Sequence, residues 1–448
     1  MNAPTLALWL LEQEARSLAA RLGRMKPFAL IAPMVMAATV PQAAQTAMEN
    51  HLTQGRRKLR TMIDEFIGWV RSPSGQSVTP AAAQKKIVLL KLRFNAVISQ
   101  FHIFADVLTQ RSEHEMGVWI AGLDDFAADA LDLPGNYYQM PPVVCYVDRG
   151  HGGAIRRART RLPGGDPTPV AIIKIPHERM IGSGIASSLV HETGHEAAHL
   201  LGLLQPLRKL LRARAEAAPA ANVVWGFWER WISEIVADFW GVGKVGVAST
   251  LGLMSLVSLP SAFVFRIDTQ DPHPTPWIRV KLSCTLGQAM YPHPQWEALA
   301  KLWEMLYPLE GLDEKQKALI TAMQAGIPEF VQLLLNFRPQ SLHGKSLKEV
   351  MPLAERQPSR LTAYYQDWVA APSKMRTAPP SLVFATIGQA SLEKKISPES
   401  ESKLLADLLS FWAMRSALDT SAICSTQPRV RLAQPPSTPG REFNMTLQ

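Results

Sequence analysis

The residues best placed to do chemistry together are His191, Glu192 and His195, a His-Glu-x-x-His motif inside the run 187–199. On a helix, His191 and His195 stand one turn apart on the same face, so both imidazoles reach one metal ion. Zn²⁺ accepts imidazole nitrogen, and a catalytic site needs one further protein ligand plus an open position for water. Glu192 lies beside the first histidine, where a carboxylate can take a proton from that water. Leu189, Val190, Leu200 and Leu201 flank the motif and argue against a freely solvated helix. Two partnered core histidines are the competing reading. His199 cannot share the ion, because it lies about 12 Å further along the helix axis than His191. Leu201 stands where an extended motif would carry a third histidine, so the third ligand comes from elsewhere.

The elements that must position these residues follow from periodicity. Residues 223–242 read as a helix with Trp225, Trp228, Trp231 and Ile235 on its apolar face. Glu234 and Asp238 are four residues apart in it and therefore share a face. Carboxylates in so apolar a helix need partners, because burying them unpaired is expensive. Zinc for Glu234 and a ligand histidine for Asp238 would supply those partners; a solvated acidic pair is the alternative. Residues 143–147 and 169–176 read as strands. The second could pair with an extended peptide at a sheet edge or lie inside the sheet. Between them, 148–153 lacks the strand–loop–helix context of a phosphate-binding loop and reads as a turn before the basic run 156–161.

With these motifs in order, the chain resembles a gluzincin zinc peptidase. His191-Glu192-x-x-His195 followed by Glu234-Ile235-Val236-Ala237-Asp238 is similar to the HExxH…ExxAD pattern of that class. His273-Pro274 with Arg279 resembles the HPxxxxR element of one gluzincin group, the HtpX and CaaX prenyl proteases. The resemblance covers about residues 180–280. It implies a zincin-like fold, zinc held by His191, His195 and Glu234, Glu192 as base, Asp238 behind a ligand, and His273 and Arg279 lining the active site. Pro274 and Pro276 are expected to keep the segment between those two out of regular helix, holding donors where negative charge builds in the transition state; the alternative is that Arg279 caps or ion-pairs a helix end while His273 sits in a turn. Members of that group are usually integral membrane proteins, whereas the 38 residues between His195 and Glu234 contain no span.

The remaining chain sets the frame. With 448 residues, 47% hydrophobic and 19% charged, it belongs among folded proteins of two or three domains. The fold class expected is α+β and predominantly helical, a zincin-like domain with helical N- and C-terminal regions. Residues 1–120 are expected as a helical region, 121–294 as the metallopeptidase domain and 295–370 as helices packing on or following it. A linker at 371–380, a small helical module at 381–425 and a disordered tail at 426–448 complete the chain. A buried helix is expected near 28–40. The net charge of +9 is spread over several clusters, among them Arg56-Arg57-Lys58, which lack aromatic interleaving, so no nucleic-acid partner is expected. Cys145, Cys284 and Cys424 are too few and too scattered for a disulfide framework. No charged-then-apolar leader opens the chain. The uncharged stretch 245–265 is the one candidate span, and its glycines, serines and Pro260 favour a packed pair of core helices. These readings point to a cytoplasmic zinc metalloendopeptidase acting on a protein or peptide, with membrane association disfavoured. The alternative function is a zinc-fold scaffold without turnover.

Overall fold

The computed structural model describes residues 2–28, 34–149, 152–177 and 181–426. Helices α1 (Ala3–Gly23), α2 (Gln42–Arg71), the single turn α3 (Pro73–Gln76) and α4 (Pro80–Thr109) open the chain. Their ends follow local chemistry: Asn2 and Thr79 accept hydrogen bonds from Thr5 and Ala82, and Pro80 fills a first-turn position that needs no N–H. The three long helices close on a core of their own, including Leu18, Ile63, Phe66 and Phe94. Of the helix expected at 28–40, residues 29–33 lie outside the described residues, and Met36–Ala38 forms only a 3-10 turn between Pro33 and Pro41.

Helix α5 (His114–Leu131) leads into a three-stranded sheet of β1 (Val143–Asp148), β2 (Ala154–Arg156) and β3 (Ala171–Pro176). The order is β1-β3-β2, with β1 parallel and β2 antiparallel to β3. Both expected strands form, but β3 lies in the middle, so its reading as a docking edge is corrected. Its residues are buried on both faces, as an interior strand requires. The outer edge of β1 is sealed by side chains. Gln110 bonds the N–H and C=O of Val147 at 2.9 and 2.6 Å. Asp124 and Arg111 take the N–H and C=O of Cys145 at 2.6 and 2.7 Å. Arg111 and Asp124 are fully buried and pair with each other at 2.9 Å, so neither charge is left uncompensated.

Helices α6 (Ile185–Leu200), α7 (Leu204–Ala217) and α8 (Asn222–Val245) follow the sheet. Gly194 on α6 lets the first and third of these approach closely: a Cβ there would lie 2.8 Å from both Ala237 Cα and Trp240 Cβ. The stretch 245–265 is not one span. Gly246, at φ 56°, ends α8 and turns the chain into α9 (Val247–Val257), and Pro260 precedes the short α10 (Ser261–Val264). Two other helical stretches, Pro80–Ser112 and Glu314–Leu335, are long and apolar enough to cross a membrane by length and composition.

The chain ends in α11 (Pro276–Met290), α12 (Gln295–Leu306), α13 (Glu314–Leu335), α14 (Pro358–Ala370), α15 (Pro372–Thr377), α16 (Pro380–Leu392) and α17 (Pro398–Thr426). The stretch expected as a linker thus carries α15. The expected C-terminal module is not set apart either, because α16 and α17 share the central core. Ser381 through Ala390 are all buried. Phe384 stacks on Phe126 of α5 with ring centroids 4.0 Å apart, and Gly122 abuts the Leu409 backbone. Apolar residues on every side of α16 are the reason: a helix without a polar face must be enclosed. The tail expected to be disordered lies outside the described residues from 427 onward.

Two outcomes follow. Gly194→Val is expected to lower stability by about 1–3 kcal/mol through overpacking, and to weaken metal binding by spreading α6 from α8. Denaturant melts and a zinc titration check it; an unchanged midpoint would show that the contact can yield. The second concerns Asp125, which faces Asp124 and Asp129 on its own helix, Arg376 on α15, and Ser416, Arg415 and Asp419 on α17. Burial, reinforced by Asp124, pushes its carboxyl up to about 7. A folded-state pKa above the unfolded value favours the native state at low pH, and that benefit is lost as pH rises through about 7. Asp125→Asn removes the titration, so it should gain about 2–3 kcal/mol relative to wild type between pH 5 and pH 8. Parallel stability curves at the two pH values would refute this.

Candidate metal centre

Helices α6 and α8 cross at Gly194 and present His191, His195 and Glu234 to one another. Their ligand atoms all lie within 4.8 Å. The Nε2 atoms of His191 and His195 are 3.2 and 3.5 Å from Glu234 Oε2. Those separations match the roughly 3.3 Å edge of a tetrahedron with metal–ligand bonds of about 2 Å. Two imidazole nitrogens and one carboxylate oxygen form a donor set suited to zinc, so the residues fit the ion that the motif implies.

Asp238 lies behind the site. Its Oδ1 is 2.8 Å from His191 Nδ1, so that nitrogen donates and Nε2 is the one left to face Glu234 and the ion position. Arg279 forks onto the same carboxylate, Nε to Oδ2 at 2.7 Å and Nη2 to Oδ1 at 2.8 Å. Burial works against charge on Asp238, but Arg279 and the His191 N–H outweigh it and hold the carboxyl well below the usual carboxylate range. Burial likewise disfavours a charged His191, yet Asp238 and Glu234 hold that ring up at about 9 without metal. His191 and His195 overcome the burial of Glu234 and keep it ionised.

Arg279 is not in an extended segment. The expected non-helical stretch ends at Thr275, because Pro276 occupies a first-turn position of α11, where a missing N–H does no harm. Arg279 therefore sits in the first turn of α11, buried, with its guanidinium occupied by Asp238. It acts on the metal position through Asp238 and His191. His273 does lie in the loop before α11. Its half-exposed ring brings Nε2 to 3.3 Å from Glu234 Oε2, and its Nδ1 is 2.8 Å from Asp271 Oδ1.

Glu192 lines the cleft with His191, His273 and Arg279, and makes no hydrogen bond to a described residue. Burial holds its carboxyl above the ordinary value. Gly153 lies against it: a Cβ there would come within 3.0 Å of Glu192 Oε1. Three participants went unread in the sequence. Asp271 was foreshadowed only by its place two residues before His273. Gly153 belongs to a glycine pair read as a plain turn. Glu196, fully buried, accepts the Ala158 N–H at 3.1 Å, and nothing in the motif marks it. Comparison with protein families, curated proteins and solved structures yields no match.

One zinc per chain is expected, lost in His191→Ala, His195→Ala and Glu234→Ala. Asp238→Asn should bind zinc about 10–100-fold more weakly, because His191 loses the partner that orients it. Metal analysis of the purified variants decides; stoichiometric zinc in Glu234→Ala would mean a different third ligand.

Proposed function

We propose that the chain is a zinc-dependent peptidase of the gluzincin kind, with a zincin-like catalytic domain and a protein or peptide substrate. The observation that carries this reading is the donor triangle of His191, His195 and Glu234 with a buried Glu192 beside it that makes no hydrogen bond to a described residue. A purely structural zinc site needs ligands but no base. Zinc bound there would polarise a peptide carbonyl and lower the pKa of water at the open position.

The protein's own groups supply the rest. Glu192 accepts the proton from the attacking water and later passes it to the leaving amine. Its desolvated carboxyl is more basic than an exposed one, which suits both transfers. Asp238 and Arg279 keep His191 in one tautomer and one orientation. His273, its Nδ1–H given to Asp271, faces the cleft and in its protonated form donates from Nε2 to the oxygen on which negative charge develops. The competing reading, a zinc-fold scaffold without turnover, leaves Glu192 without a task.

Glu192→Gln should keep zinc and fold and abolish hydrolysis, since an amide can hydrogen-bond but cannot serve as base. A proteome-wide comparison of cleavage products between wild type and this variant tests it, and identical product sets would overturn the reading. His273→Ala should keep zinc and melting temperature while kcat falls on the order of a hundredfold. Parallel loss of zinc would instead make His273 a ligand.

A further inference from the structure

The two edges of the sheet are treated differently. Side chains seal the outer edge of β1, whereas no described residue hydrogen-bonds the outward backbone of β2. Ala171 donates its N–H to Pro142 at 2.9 Å, so residues 171, 173 and 175 turn toward β1. Alternation then turns 172 and 174 toward β2, opposite Arg156 and Ala154. The N–H and C=O of Ile155 therefore point outward, a template for one more strand.

This edge begins at the metal centre and ends in positive charge. Gly153, just before β2, lies against Glu192. At the other end Glu196 clamps Ala158 onto α6. Ile155 packs on the central core, and alternation puts Arg157 on that same face, along α6. Arg157 and Arg159 act electrostatically on Glu196 and His199, which places both beside α6 just beyond His195. Neither forms an ion pair with a described residue; Arg159 reaches only the Gln139 carbonyl, at 3.4 Å. The opposite face is mixed: Arg156 and Lys174 share a cavity there with Asp106 and Asp148, and Arg157 borders that cavity as well.

We infer that the substrate class is an acidic peptide in extended form, its backbone adding to the β2 edge and its carboxylates read by Arg157 and Arg159. The inference rests on the peptidase reading of the metal centre. A peptide in this place passes directly from Arg157 to Glu192, so acidic side chains near the scissile bond meet cations that have no ion-pair partner among the described residues, and basic ones are repelled.

The test uses zinc-loaded Glu192→Gln protein and fluorescein-labelled decapeptides, alanine-rich with Glu, Gln or Lys at alternate positions, followed by anisotropy. The Glu peptide should bind about tenfold more tightly than the Gln peptide at low salt and the Lys peptide more weakly still. The Glu preference should shrink as salt rises. In Arg157→Glu/Arg159→Glu, and in the milder Arg157→Gln/Arg159→Gln, the preference should vanish with zinc content and melting unchanged. Arg56→Glu/Arg57→Glu, away from β2, should retain it. Equal affinities, a preference that survives the Arg157/Arg159 changes, or one lost equally in the Arg56/Arg57 control would overturn the proposal. So would a single-stranded oligonucleotide of equal charge binding more tightly than the Glu peptide. A protein that loads zinc but shows no charge preference sinks this proposal alone, whereas one that never holds zinc sinks the metal-centre reading beneath it.

Discussion

Two carboxylates buried in α8 impose the constraint that organises the molecule around them. Glu234 and Asp238 lie on a helix otherwise filled with Trp228, Trp231, Ile235 and Trp240, where an unpaired charge would be costly. Each is compensated by groups from other elements. Arg279 of α11 and His191 of α6 converge on Asp238, while His191, His195 and His273 all bring Nε2 within 3.5 Å of Glu234 Oε2. Three parts of the chain, spread over the 88 residues from His191 to Arg279, are thereby locked to one place, and the candidate metal position lies where they meet.

That convergence depends on backbone features that carry no charge. Gly194 lets α6 and α8 touch, because a side chain there would strike the facing helix. Gly246, in a conformation costly for other residues, reverses the chain after α8 so that α9 packs on α6 and the path returns toward the site. Pro276 then starts α11 one turn before Arg279. The C-terminal helices complete the same core, with Phe384 stacked on Phe126 behind the sheet and α6. The N-terminal helices contribute more remotely, by closing the far face of the sheet: Phe104 and Val107 of α4 share a cluster with Val144 and Ile172.

The cleft divides labour between rigid and accessible groups. Asp238 and Arg279 are buried and multiply bonded, as suits groups that only orient and polarise. Glu192 is buried and makes no hydrogen bond to a described residue, and His273 is half exposed, as the proposed roles toward a substrate require. The sheet shows the same division. Arg111, Asp124 and Gln110 close its β1 edge with buried hydrogen bonds, and its β2 edge opens toward Glu192.

What the sequence determined by itself was local. The spacing of His191 and His195, the apolar stripe that makes 223–242 a helix, the β-branched runs of β1 and β3 and the proline- and asparagine-marked helix starts are short-range patterns. They set which residues share a face and which elements form. Tertiary structure decided everything that depends on meeting across the chain. The order of strands, which put β3 in the middle and the three-residue β2 at the edge, has no local signature. The absorption of α15, α16 and α17 into the central core was hidden because a buried helix and a separate helical module look alike in composition. The place of Arg279 turned on whether Pro276 ends one segment or begins a helix, and proline permits both. The pairings of Arg111 with Asp124 and Glu196 with Ala158 arise only when folding removes water and each buried polar group must take the partner within reach.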